Sequence, residues 1–152
     1  MFPFKTILCP TDFSEPSTCG LKLANEFALK FGSEIIVLNV HRPIPHLPQP
    51  RIDSADLNFD MSAYEAQVAQ ESRENLARFA GAILDDSLTP RLEIRMGRPD
   101  KAILAFAEEE QVGAIFIATH GRTGLAHMVF GSVAEMVVRY AKCPVLTIRS
   151  CD

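Results

Sequence analysis

The stretch Arg91–Gly124, RLEIRMGRPDKAILAFAEEEQVGAIFIATHGRTG, sets the architecture of this chain. It opens with RLEIRM (Arg91–Met96), breaks at Gly97-Arg98-Pro99, and then places Ile103, Phe106 and Ala107 at helical spacing. Gly113 follows the helical pattern, where a C-terminal cap favours a residue tolerant of positive φ. AIFIAT (Ala114–Thr119) is then almost continuously apolar. A strand without polar alternation is one covered on both faces, as in a parallel sheet. The segment reads as strand, crossover helix, strand.

The same succession of element types extends on both sides. KTILCP (Lys5–Pro10) and EIIVLNVH (Glu34–His41) precede it, and PVLTIR (Pro144–Arg149) follows. Between them Ala24, Phe27, Ala28 and Phe31 keep helical period, with Gly32 as the expected cap. Leu76, Phe79, Ala80, Ile83 and Leu84 form a second stripe; Val133, Met136, Val137, Tyr140 and Ala141 form the last. Parallel strands joined by right-handed crossovers place helices on both sheet faces. The expectation is an α/β fold, an open, doubly wound parallel sheet of five strands. Residues 42–60 interrupt the pattern with Pro43, Pro45, Pro48 and Pro50, and read as an exposed loop: a tolerated insertion, a lid or a partner-binding loop. No repeat or second domain is visible, so residues 1–152 are expected to form one domain.

The 152 residues carry net charge −4, with 47% apolar and 22% charged residues. That composition is globular and offers no basic footprint for nucleic acid. No run approaches the roughly 20 apolar residues of a membrane helix, and the N-terminus lacks a secretory signal pattern. Cys9, Cys19, Cys143 and Cys151 show no CxxC or zinc-like spacing. A reduced, cytoplasmic protein is expected, with no membrane insertion and with Cys151 an exposed thiol. His41, His46 and His127 form no metal template and read as surface residues. Glu108-Glu109-Glu110 reads as a solvated face.

In open α/β sheets, ligands bind beyond the carboxyl ends of the strands. Two loops there carry polar residues. In Pro10-Thr11-Asp12-Phe13-Ser14-Glu15-Pro16, Asp12 suits either ribose hydroxyls or an Asx-turn leading into a helix capped by Ser14. In the second loop, Ala118-Thr119-His120-Gly121-Arg122-Thr123-Gly124 runs on to Gly131-Ser132. Ser132 and Glu135 match a capping box, which predicts a helix start whose amides and dipole suit a phosphate. Gly121, Gly124 and Gly131 permit close backbone approach, and Arg122 supplies a cation, although the same glycines could simply shape turns. Neither standard phosphate-loop fingerprint is present. His120 lacks a nearby nucleophile or orienting carboxylate in sequence, so no catalytic residue is assigned.

These segments, from KTILCPTDFSEPS through MGRPDKAILAFAEEEQVGAIFIATHGRTG to GSVAEMVVRYAKCPVLTIR, resemble the universal stress protein family over most of the chain. The resemblance implies the strand order 3-2-1-4-5. It also implies a nucleotide site marked by G-x2-G-x9-G-[ST], here matched by Gly121 and Gly131-Ser132, with Ala118 in place of the first glycine. Carried over by position, Pro10, Thr11 and Asp12 would line the adenine and ribose site, and Val40 would pack on adenine. Ile117, Ala118, His120, Gly121 and Arg122 would follow the ribose and first phosphate; Gly131, Ser132 and Val133 would hold the outer phosphates. The implied ligand is ATP or another adenine nucleotide, with Mg or Mn as the accompanying cation. The implied assembly is a homodimer through the last strand (144–149), acting in stress response on an unknown protein partner. The alternatives are a nucleotide-free dimeric interaction protein and a slow ATP hydrolase; no arginine finger, catalytic lysine or paired acid stands out for fast phosphoryl transfer.

Overall fold

The computed structural model describes residues 3–42, 61–120 and 131–149, the side chains of 61–66 excepted. Nine elements follow in order: β1 (Thr6–Thr11), α1 (Glu15–Phe31), β2 (Glu34–His41), α2 (Met61–Gly81), β3 (Arg91–Met96), α3 (Pro99–Glu109), β4 (Ala114–Ala118), α4 (Ser132–Tyr140) and β5 (Val145–Ile148). The strands form one sheet in the order β3-β2-β1-β4-β5, with every neighbouring pair parallel. Fold class and strand order are those expected, with strand ends shifted by a residue.

Alternation along the strands explains their unbroken apolar sequences. Ile7, Cys9, Ile35, Val37, Ala114 and Phe116 join Leu21, Ala24, Ala28, Leu76 and Ala80 in one core layer under α1 and α2. Leu8, Ile36, Leu38, Ile115 and Ile117 point the other way and pack with Ile103, Phe106, Ala107, Ala134 and Val137 of α3 and α4. In the three central strands β2, β1 and β4 a period of two therefore feeds two cores, whereas the edge strand β3 keeps Arg91, Glu93 and Arg95 among its apolar residues.

Local signals hold at α1 and fail at α3. Ser14 caps α1, its hydroxyl accepting from the Ser17 amide at 3.4 Å, and Gly32 closes the helix at φ 71°. After α3 it is Gln111, at φ 49°, that takes the left-handed position expected of Gly113. Gly113 serves a different purpose: a Cβ there would lie 3.1 Å from the Thr6 carbonyl, to which its own amide donates at 2.9 Å. Backbone proximity, not helix termination, calls for glycine at that point.

Two further expectations are corrected and a third is refined. Cys9 and Cys143 are free thiols, but Cys19 is disulfide-bonded, so the chain is not fully reduced. His41 is half-buried with its Nε2 enclosed and unpartnered, rather than a surface residue. Glu108 and Glu110 are exposed as expected yet engaged, with Lys142 and Arg91 respectively. His46, His127, Cys151 and most of the 42–60 loop lie outside the described residues. Among the described residues no helix is long and apolar enough to cross a membrane.

Candidate functional site

The strand order reverses between β1 and β4: the chain leaves β1 toward β2 on one side and returns to β4 on the other. Loops diverging from such a point leave a crevice at the carboxyl ends of the strands. Here it is a cavity of about 310 Å³.

One wall is the loop from β1 to α1, where Pro10, Thr11 and Asp12 border the cavity together with Ser17. Its conformation is fixed by short-range bonds. Thr11 Oγ1 pairs with Ser17 Oγ at 2.9 Å and accepts from the Phe13 amide at 3.0 Å. Phe13 is held at φ 64°, an uncommon value for a bulky residue. The Ser14 amide donates to Asp12 Oδ1 at 3.1 Å, and the Ser14 hydroxyl donates to the same oxygen. The Asx-turn anticipated from the sequence is therefore present, and it presents Asp12 at the cavity edge.

The opposite wall is the β4 end and the α4 start. Ile117, Ala118, Thr119 and His120 border the cavity, as do Gly131, Ser132, Val133 and Ala134. The Thr119 hydroxyl and His120 Nδ1 lie 2.9 Å apart, a hydrogen bond whose direction follows the imidazole tautomer. The expected Ser132/Glu135 capping box is not formed. Gly131 is the N-cap, extended at φ −72° and ψ 155°, and no side chain caps the helix. The physical reason is space: the Gly131 amide donates to the Thr119 carbonyl at 2.6 Å, and a Cβ would meet that oxygen at 3.3 Å. The serine is displaced to the first helical position. The amides of the first turn, which have no intrahelical acceptor, consequently remain uncovered by a side-chain cap, in residues that border the cavity.

Leu38 and Val40 on β2, Ile103 and Pro99 on α3, and Arg42 complete the lining. Past Arg42 and Ser132 the crevice continues into an adjoining recess edged by Arg98, Asp100 and Met136. The Arg98 guanidinium grips Asp100 with two bonds, at 2.9 and 3.3 Å, and holds its carboxyl below the usual range. Among the described residues no group of three or more His, Cys, Asp or Glu could hold a metal.

Ten of the anticipated residues thus border one cavity: Pro10, Thr11, Asp12, Val40, Ile117, Ala118, His120, Gly131, Ser132 and Val133. Gly121 and Arg122 lie outside the described residues. Ser17, Leu38, Arg42, Pro99, Ile103, Thr119 and Ala134 were not anticipated. The rule that pointed to Asp12 could have found Arg42, which directly follows β2.

The profile of the universal stress protein family matches residues 3–149. The chain belongs to that family. Among its relatives, the universal stress protein MJ0531 of Methanocaldococcus jannaschii is 32% identical over 146 residues, covering 96% of this chain and 82% of that one. The solved structure of MJ0577, from the same organism, superposes with a TM-score of 0.76 at 28% identity and covers 97% of both chains. A universal stress protein from Archaeoglobus fulgidus, solved in complex with dAMP, shares the fold at a TM-score of 0.63 and 23% identity, covering 98% of this universal stress protein and 100% of that chain.

Proposed function

We propose that this universal stress protein binds an adenine nucleotide (ATP, ADP or AMP) in the crevice between β1 and β4. It acts as a nucleotide-dependent regulatory homodimer in the cytoplasm, with little or no turnover. The observation that carries the reading is the α4 start: an extended glycine cap with no capping side chain places the first turn of α4 on a cavity that Asp12 also borders. First-turn amides, at the positive end of a helix dipole, favour phosphate. The dAMP complex of a fold neighbour supports the choice of adenylate.

In this reading Asp12 accepts from the ribose hydroxyls. A carboxylate has about four acceptor directions, so its turn bonds to Ser14 are compatible with that use. Val40 packs on the adenine, with Pro10 and Thr11 beside it. Ile117, Ala118, His120, Gly121 and Arg122 follow the ribose and first phosphate, and Gly131, Ser132 and Val133 hold the outer ones. Mg or Mn would accompany the phosphates and neutralise their charge. Ala118, in place of the motif's first glycine, is compatible with binding. It shares strand parity with Ala114 and Phe116, which pack under α1 and α2. Its methyl therefore turns away from the α3/α4 side, where Leu38, Val40 and Ile103 line the cavity. Dimerisation through 144–149 is supported by β5 lying at the sheet edge with Leu146 43% exposed.

The test is to denature the purified protein, identify any released nucleotide, and follow thermal unfolding of the nucleotide-free form with millimolar AMP, ADP and Mg-ATP. Saturation at about 100 times Kd stabilises by about 2.7 kcal/mol, and Asp12→Ala should remove most of that gain. A stable dimer that releases no adenylate and shows no shift with any of the three would overturn the reading in favour of a nucleotide-free scaffold.

A further inference from the structure

We infer that Asn39 is a positioning residue for the crevice: its amide holds the end of β1 through the Thr11 carbonyl and thereby sets nucleotide affinity. The inference rests on the nucleotide reading above for its ligand, though not for the clamp itself.

Asn39 is the one amide in the apolar run Ile35–Val40, and it is 5% exposed. It shares strand parity with Ile35 and Val37, on the α1/α2 face, and does not line the cavity. Its Nδ2 donates to the Thr11 carbonyl at 2.7 Å. Thr11 is its register partner and the last residue of β1, where the strand ladder ends. The other half of the amide, Oδ1, is buried without a hydrogen-bond partner. A buried acceptor left unpaired costs stability, so the unpaired Oδ1 offsets what the single bond to Thr11 contributes. Asparagine is therefore a poor choice for stability alone. What it supplies is direction on one carbonyl.

That carbonyl belongs to the residue from which the loop is hung. Thr11 Oγ1 holds the Phe13 amide and Ser17, Phe13 is kept in its left-handed conformation, and Ser14 holds Asp12. The Phe13 ring closes the arrangement edge-on against Phe79, with centroids 5.4 Å apart. A backbone in a sparsely populated region persists only while its surroundings over-determine it. Releasing the Thr11 carbonyl removes one of those constraints, and the position of Asp12 spreads.

The experiment uses Asn39→Leu and Asn39→Asp with three readouts: amide hydrogen exchange without ligand, AMP affinity by calorimetry, and thermal midpoint. Asn39→Leu should speed exchange at Phe13 and Ser14 and weaken AMP by about tenfold, the scale of one lost hydrogen bond, with little change in midpoint. Asn39→Asp replaces the donor by an acceptor against the same carbonyl and should lose at least as much. In an Asp12→Ala background Asn39→Leu should cost far less affinity, because both act through one loop. Unchanged exchange at Phe13 and Ser14 in a folded Asn39→Leu protein overturns the inference, as does full additivity with Asp12→Ala. Should Asn39→Leu not fold, the role is structural and the inference fails unless folded Asn39→Asp shows the local exchange change. If wild type binds no AMP but exchange rises locally in the variant, the nucleotide reading fails while the clamp stands.

Discussion

Replacing Gly131 by alanine probes the α4 start most directly. At φ −72° and ψ 155° the backbone suits any residue, so the effect is steric rather than conformational. The new methyl would sit 3.3 Å from the Thr119 carbonyl oxygen and 3.7 Å from His120 Cα. That carbonyl cannot swing aside, because it already accepts from the Gly131 amide at 2.6 Å. Two smaller effects oppose each other. Alanine restricts the unfolded chain and stabilises by about 0.4–1 kcal/mol; as an N-cap it is poorer than glycine by several tenths of a kcal/mol, roughly cancelling the gain. The contact then decides the sign. Overpacking costs about 1–3 kcal/mol, and a single tight contact falls at the low end, about 1 kcal/mol, which lowers Tm by about 2–4 °C in a chain of this size. Relief of the contact moves the first turn of α4 away from β4, so the amides no longer meet a phosphate squarely, and AMP and ATP affinity should fall about five- to tenfold, the scale of one hydrogen bond. Thermal unfolding and calorimetric titration of wild type and Gly131→Ala measure both quantities. An unchanged Tm together with unchanged affinity would refute the argument, because it would mean that the α4 start yields freely and does not set the phosphate cradle.

Two groups tie stability to pH. Burial pushes the Cys9 thiol well above its ordinary value of 9.0; the unfolded chain ionises first as pH rises, so stability falls above about pH 8.5 by up to about 1.4 kcal/mol per unit. The stability difference between wild type and Cys9→Ala, from urea unfolding, should therefore shrink by about 1 kcal/mol between pH 7.5 and 9.5, and a constant difference would contradict this. The Asp100 carboxyl is held low, chiefly by its hydrogen bonds to Arg98, so its contribution is present above the ordinary carboxylate range and lost as pH falls through the lowered value. Since Arg98 is 67% exposed, Asp100→Asn should cost only about 0.5–1 kcal/mol at pH 7, with the two proteins converging in acid once the Asp100 carboxyl is protonated in the folded state; a gap that persists there would place the effect in packing instead.

The central strands were legible because each repeats one physical condition, cover on both faces, along most of its length: Ile35–Leu38 read as interior directly, whereas the strand order came from the family resemblance. Caps and glycines were harder. Gln111 took the left-handed position expected of Gly113 because glycine answers two needs, positive φ and close approach, that look identical in sequence. Only the fold shows that the Thr6 carbonyl stands where a Cβ would be. Ser132 was misplaced by one residue for a related reason: serine is the better capping side chain in isolation, but the contact with β4 admits glycine alone without displacement. The cavity was legible where a loop supplied its wall, as at Asp12 and His120. It was not legible where a distant helix did, as at Pro99 and Ile103, since a helical stripe records only that a residue is turned inward. Asn39 passed as one letter of an apolar strand. The common thread is that much of the polar construction around this crevice is backbone: the Thr11 carbonyl, the Thr119 carbonyl, the Gly131 amide. A sequence names side chains, so it marks the residues that frame such a site better than the groups that hold the frame. Substitutions acting through those backbone groups, at Asn39 and Gly131, should therefore be more telling than further substitutions among the residues that line the cavity.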